Sequence, residues 1–264
     1  MTATPTLCSD RGALETYLRC YSHLNYYPLG DLDDFFWPDT RWYVSKTGEN
    51  IQAVVLLYKG ADPVVLLAIL NENRKPLTGL LEALVPGLPD TVYAHLSPGL
   101  EQVFQTRYDL DHHGEHYKMT LTDPTALDKI EISEVIPLKV RDQSRLEALY
   151  ASAYPGNWFN PRMLETGQYT GIQDDAGRLL SAGGIHVYSP AYRVAALGNI
   201  TTLPEARGHG LATAVTAGLC KQLLKTVDLI GLNVRTDNLA AIRSYQKTGF
   251  EVVGIYNEWM LSIR

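Results

Sequence analysis

The chain has 264 residues, 45% of them hydrophobic and 20% charged, enough apolar material for one large or two ordinary folded domains. Its formal net charge of −6 argues against a general nucleic-acid binder and against a protein drawn to anionic membrane surfaces. Three cysteines (Cys8, Cys20 and Cys220), without CxxC spacing, provide no disulfide framework and fit a reducing compartment. The chain opens M-T-A-T-P-T-L-C-S-D, with no basic region leading into an apolar run, and no apolar stretch reaches the length of a membrane span. No signal peptide or membrane association is read, and a cytoplasmic location is expected.

Ser9 and Asp10 are candidate caps for a short helix through Arg19, with Leu14 and Leu18 on one face. The aromatic-rich residues 21–42 follow, and their rings read as core anchors of a loop. Residues 41–45, 51–58 and 64–70 are β-rich runs separated by turn signals, the pattern of an antiparallel meander. A helix is predicted over 77–85, a strand over 91–96 and a short helix over 100–105. A closing pair of strands is expected at 108–110 and 117–121. Between them, Asp111-His112-His113-Gly114-Glu115-His116 holds metal-ligand residue types. Adjacent histidines in a strand point to opposite faces, and Gly114 interrupts the run, so a polar hairpin turn is expected and no metal is assigned. Residues 122–125, T-D-P-T, read as a linker.

Beyond the linker the pattern begins again. A strand is predicted over 129–138, and a helix over 140–154 with Leu146, Leu149 and Tyr150 facing inward. Asn160-Pro161 then caps a second short helix. Strands are predicted over 169–173, 179–188 and 193–203. The last runs through Pro204 into a loop carrying Arg207, Gly208 and Gly210, and then into a helix with Leu211, Val215, Leu219 and Leu223 on one face. A strand at 229–234, a helix at 238–247 and strands at 250–253 and 255–262 complete the chain. A strand feeding a glycine-rich turn that opens a helix is a ready anion site. The glycines admit close approach, and the first helical turn offers unpaired N–H groups and a partial positive charge. The loop has neither the three glycines of a dinucleotide fingerprint nor the G-K-[ST] of a P-loop.

Arg207-x-x-Gly210-x-Ala212, followed one helix and one strand later by Asn238, Ala241, Tyr245, Gly249 and Phe250 in the pattern N-x-x-A-x-x-x-Y-x-x-x-G-F, resembles the GNAT superfamily of acyl-CoA-dependent N-acyltransferases. The resemblance implies an α/β (α+β) fold with a mixed, mostly antiparallel central sheet flanked by helices. It implies acetyl-CoA as co-substrate, with no metal. The pyrophosphate of the coenzyme is expected around Gly208, His209, Gly210, Leu211, Ala212 and Thr213 with Arg207, and the pantetheine arm along Ile200, Thr201 and Thr202. Asn238 matches a coenzyme contact and equally suits a helix N-cap. Tyr245 matches the acid that protonates the leaving thiolate, the alternative being a packing tyrosine on the face shared with Ala241 and Ile242.

No general base is identified. Residues 193–203 contain no Asp or Glu, Glu205 reads as a solvated loop charge, and His186 and Tyr188 are equally readable as packed structure. His209 sits beside the phosphates, a poor place for a base. Cys220 reads as a small packing residue. The repeated order of elements points to a tandem arrangement, a degenerate GNAT-like domain over 1–125 and a catalytic domain over 130–264. The first is not expected to bind coenzyme A, because residues 70–78, L-N-E-N-R-K-P-L-T, lack glycine.

The expected reaction is direct transfer of an acetyl group to a primary amine in a ternary complex, the acceptor being a small-molecule amine or a peptide N-terminus. The alternatives are a longer-chain (glycine-type) acyl-CoA transferase and a non-catalytic CoA-binding sensor or scaffold. The terminal strand is a candidate for pairing across a homodimer.

Overall fold

The structure is a computed structural model and describes residues 5–264. The chain divides into two compact units, one running to Lys118 and including Val253–Arg264, the other spanning Met119–Val252.

The first unit opens with β1 (Thr6–Leu7) and α1 (Arg11–Arg19). Asp10 caps α1, its carboxylate accepting from the Ala13 N–H at 3.0 Å, and Leu14 and Leu18 are buried as their spacing required. The aromatic segment folds into the short helix α2 (Tyr26–Asp31), and both Tyr26 and Trp42 are fully buried. Strands β2 (Thr40–Thr47), β3 (Asn50–Tyr58) and β4 (Val64–Ala68) pair antiparallel. Helix α3 (Arg74–Leu84) then crosses to β5 (Thr91–Leu96), which runs parallel to β4. Leu77, Leu80, Leu81 and Leu84 of α3 pack with Val55, Leu57, Leu66, Val92 and Ala94 in one core.

Strand β6 (Tyr108–Leu121) is a single element of 14 residues. The hairpin expected at residues 111–116 is therefore corrected. Gly114, at φ 114°, takes a conformation that favours glycine within the strand, and the chain does not reverse there. Among the described residues no group of three or more His, Cys, Asp or Glu could hold a metal ion.

The second unit begins with a 3₁₀ turn, Pro124–Lys129. The strand predicted over 129–138 survives only as β7 (Ile136–Pro137). Its first half is diverted where the Glu131 carboxylate accepts from the Ser133 N–H at 2.7 Å, a local turn that competes with the sheet. Helix α4 (Gln143–Ala153) buries Leu146, Leu149 and Tyr150. Asn160 caps the 3₁₀ turn Pro161–Thr166, accepting from the Arg162 N–H at 3.0 Å. Strands β8 (Thr170–Gln173), β9 (Leu179–Ser189) and β10 (Val194–Thr202) pair antiparallel, and α5 (Leu211–Leu223) crosses to β11 (Leu229–Arg235), parallel to β10. Helix α6 (Leu239–Lys247) leads into β12 (Phe250–Ile263), one strand where two were predicted. Antiparallel strands, a crossover helix and a parallel strand thus occur in the same succession in each unit. The fold is mixed α/β with mostly antiparallel pairing and flanking helices.

The expected boundaries differ from this packing in two respects, the first break falling after Lys118 rather than at residue 125. Val253–Arg264 belongs with the first unit, because Asn257 to Ser262 pair antiparallel with Leu96 to Thr91 of β5. Alternating hydrophobicity marks a strand but does not name its partner. No helix among the described residues is long and apolar enough to cross a membrane.

Candidate functional site

Strands β10 and β11 pair from Val194↔Leu229 to Leu197↔Leu232, and there the pairing stops although β10 continues to Thr202 and β11 to Arg235. The unpaired ends leave a gap, and Ile200, Thr201 and Thr202 lie on its β10 side. Thr201 and Thr202 are buried and Ile200 half-buried. Ser181 of β9 braces this end of the strand, its hydroxyl donating to the Thr201 carbonyl at 3.0 Å and lying 2.9 Å from the Thr202 hydroxyl.

After β10 the chain makes a 3₁₀ turn, Pro204–Ala206, and Arg207, Gly208, His209 and Gly210 are exposed. The Arg207 Nε donates to the Thr202 carbonyl at 3.2 Å, which ties the loop back to the strand end. Gly208 and Gly210 have φ of 86° and 78°, in the left-handed region that only glycine enters without strain, and the space where each would carry a Cβ is open. Gly210 is the N-cap of the 13-residue α5 and offers no capping side chain. The first-turn N–H groups of Leu211, Ala212 and Thr213 therefore lack helical partners. With no acidic residue in the first turn, the positive end of the helix is uncompensated. This is a fit for a pyrophosphate, made of open backbone donors, room for close approach and favourable field.

Helix α6 is fastened to α5 by the Thr213 and Ser244 hydroxyls, 2.8 Å apart. Asn238 performs its capping job, accepting from the Ala241 N–H at 3.2 Å. Tyr245 lies on the buried side of α6, 8% exposed, with Phe250 beside it. Burial pushes its phenol well above the ordinary tyrosine value, with smaller contributions from Tyr154 and Cys220, so it is a proton donor at neutral pH. Tyr93, Tyr108, Tyr150, Tyr169 and Tyr256 are also buried, and each of their hydroxyls has a hydrogen-bond partner. The Tyr245 hydroxyl has none among the described residues.

The base candidates weighed from sequence remain unpromising. Glu205 is exposed, pairs with Arg178 at 2.7 Å, and is held below the usual carboxylate range by hydrogen bonds. The Tyr188 hydroxyl is 3.0 Å from that of Thr226, and the His186 ring lies against Gly198, 2.0 Å from where a Cβ would be. Burial pushes the Cys220 thiol up, so it stays protonated as a packing group. The sequence places Tyr150 only on a buried helix face and assigns no role to Asn199 or Tyr169, and the three converge on β10. The one signal available was an asparagine inside a β-branched run, where β propensity disfavours it.

Residues 138–250 match the Acetyltransferase (GNAT) family. A mycothiol acetyltransferase from Tsukamurella paurometabola is 33% identical over 97 residues, a stretch covering 36% of this chain and only 33% of that protein. An X-ray structure of a Drosophila protein is similar over 98% of each chain at 13% identity, with a TM-score of 0.73. A tandem GNAT protein from the clavulanic acid biosynthesis pathway is similar over 97% of each chain at 16% identity, with a TM-score of 0.57. At such identities the structural likenesses are of fold alone. The family match thus covers residues 138–250, the part of the chain that carries this loop and helices α5 and α6, and the likeness to the tandem GNAT protein is one of fold over nearly the whole chain.

Proposed function

We propose that the carboxy-terminal unit transfers the acetyl group of acetyl-CoA to the primary amine of a small molecule, by direct attack in a ternary complex. The observation that carries this reading is the uncapped start of α5 behind Gly208 and Gly210, beside the gap between β10 and β11. Acetyl-CoA, when bound, supplies a thioester acyl group and a thiol leaving group.

The chain's own residues divide the remaining work. The amides of Gly208 to Thr213 hold the pyrophosphate, His209 contributing through its backbone, and Arg207 adds charge while fixing the loop to Thr202. Ile200, Thr201 and Thr202 line the arm of the coenzyme. Tyr245 donates a proton to the departing sulfur, a role supported by its raised pKa and partnerless hydroxyl. Asn238 acts through the start of α6, which it caps. No side chain of the unit is assigned as base, and the amine is expected to reach the site neutral or to lose its proton to water. A small-molecule acceptor is supported by the relative named as a mycothiol acetyltransferase. The amino-terminal unit is read as a degenerate copy of the same fold, supported by the repeated succession of elements.

Calorimetric titration of acetyl-CoA into the wild type and a Gly210→Glu variant tests the reading. One-site binding is expected in the wild type. In the variant, a carboxylate at the helix start and a Cβ at φ 78° should reduce affinity at least about 100-fold. Unchanged binding in the variant would refute the assignment of the loop.

A further inference from the structure

Between Gly198 and Thr201 the register of β10 against β9 slips. Gly198 faces Gly184 and Thr201 faces Ala182, so Asn199 and Ile200 together oppose the single residue Gly183. Two residues against one is a β-bulge, and it turns a backbone N–H out of the ladder. Asn199 is the bent residue, at φ 55° in the middle of a strand, a conformation that asparagine tolerates better than other side chains. It lies two residues beyond Leu197, where pairing with β11 ends.

The bulge is held from several sides by buried polar groups. The Tyr150 hydroxyl of α4 donates to the Asn199 carbonyl at 2.9 Å. The Asn199 Nδ2 donates to the Tyr169 hydroxyl at 3.2 Å, and that hydroxyl lies 3.4 Å from the Ile185 carbonyl and 3.4 Å from the Met163 Sδ. Tyr150, Asn199 and Tyr169 are 3%, 5% and 0% exposed. The Tyr169 ring reaches this position only because Gly184 lacks a side chain, since a Cβ there would sit 2.1 Å from the ring. A buried polar network whose members are all partnered specifies one geometry, and here that geometry is the left-handed turn of Asn199.

We propose that Tyr150, Asn199 and Tyr169 are positioning residues that fix the β10 bulge so that its freed backbone N–H meets the carbonyl oxygen of the bound thioester. This rests on the acyl-CoA reading above. The network does no proton transfer itself. Burial raises both phenols, and both hydroxyls are engaged, one to the Asn199 carbonyl and the other within its side-chain network. Their effect is on the aim of a backbone donor, which matters most where negative charge develops on the oxygen.

The test compares two ligands that differ only at the acyl group. Acetyl-CoA and CoA are titrated calorimetrically into the wild type, Tyr150→Phe, Tyr169→Phe and Asn199→Gly, with circular dichroism of each. The wild type is expected to prefer acetyl-CoA, and each variant to lose about tenfold of that preference while CoA affinity stays within about twofold. Asn199→Gly keeps the left-handed conformation accessible, so its loss isolates the side-chain amide. A merely structural role would weaken both ligands together, and that result, or no change in either, overturns the proposal. Equal affinities in the wild type overturn it as well. If the wild type binds neither ligand, the acyl-CoA reading fails first, and this inference with it. If one tyrosine variant does not fold, the other and Asn199→Gly carry the same comparison.

Discussion

Removal of the His95 imidazole should make the amino-terminal unit less sensitive to acid. His95 on β5 sits in a cluster with Glu258 of β12 and His116 and Lys118 of β6. Glu258 Oε1 is 3.5 Å from the His95 Nε2 and 3.7 Å from the His116 Nε2, and the carboxylate also accepts from the hydroxyls of Tyr256, at 2.6 Å, and Tyr93. Lys118 is 2% exposed, its ammonium 4.3 Å from the Tyr26 ring centroid and 5.4 Å from that of Tyr256. Burial lowers the His95 pKa from 6.5 to about 4. Glu258 opposes that fall, and the positive charges of Lys118 and His116 add to it.

Between those two values the unfolded chain binds a proton that the folded chain does not, so stability rises with pH across the window and is lost on acidification through it. At about 1.4 kcal/mol per pH unit, the loss attributable to His95 between pH 6.5 and 4 is about 3 kcal/mol. Glu258, held below the usual carboxylate range despite its burial, by His95 first and then by His116 and the two tyrosine hydroxyls, adds a loss in the same direction at the acid end, and His95→Gln lessens that part too. Three of the four tryptophans, Trp37, Trp42 and Trp259, lie in this unit, so urea unfolding followed by fluorescence reports on it. The difference between wild type and His95→Gln should grow in the variant's favour by up to about 1.4 kcal/mol per unit as pH falls from 6.5 to 4. Parallel pH profiles for the two proteins would refute the reasoning, since they would mean that His95 takes up its proton equally in both states.

Lys118→Met should stabilise the same unit by about 1–3 kcal/mol at pH 7, because a methionine fills the aromatic site without a buried charge. With the Lys118 pKa lowered from 10.5 to about 7 by burial, wild-type stability should climb with pH across that window, and the variant should not. A variant less stable than wild type at pH 7 would mean that the cation–π contacts outweigh desolvation. Tyr245→Phe should lower kcat/KM for thiol release about 100-fold while leaving acetyl-CoA affinity within about twofold, measured by thiol trapping and calorimetry. Full activity in that variant would return Tyr245 to a packing role.

The sequence carried the crossover units well, and for a physical reason. Alternating runs such as 51–58 and 91–96 and four-residue helical spacing from Leu211 to Leu223 are local patterns that burial imposes directly. The loop at Arg207 to Gly210 was legible because positive φ restricts two positions to glycine. Apart from one local turn, what escaped was non-local. The side-chain turn at Glu131 replaced a predicted strand, and β6 ran straight through a segment with hairpin composition. The partner of β12 could not be read from its own pattern. The bulge at Asn199 depends on Tyr150, Tyr169 and Gly184, which lie 15 to 49 residues away along the chain and meet only in the folded sheet.

The same crossover built twice, with a different result each time, explains why one unit is read as a coenzyme site and the other is not. In the amino-terminal unit, β4 pairs with β5 along its whole length, from Val64↔Val92 to Ala68↔Leu96, so no gap opens between the parallel strands. Its antiparallel neighbour β3 pairs with β4 in unbroken register, Leu56↔Leu67 to Tyr58↔Val65, so no bulge frees a backbone donor. Helix α3 also begins without a side-chain cap, but its first turn is Arg74, Lys75 and Pro76, and proline has no N–H to offer. The loop before it carries Glu72, a negative charge where a phosphate would need to come, and the Tyr21 hydroxyl donates to that carboxylate at 3.1 Å. In the carboxy-terminal unit three of these features are reversed: pairing stops at Leu197, β10 bulges at Asn199, and glycines precede an α5 turn that retains its N–H donors. All three differences matter together. An uncapped helix start occurs in both units, and only where the strands part and the bulge turns does it adjoin space that an extended coenzyme arm could enter.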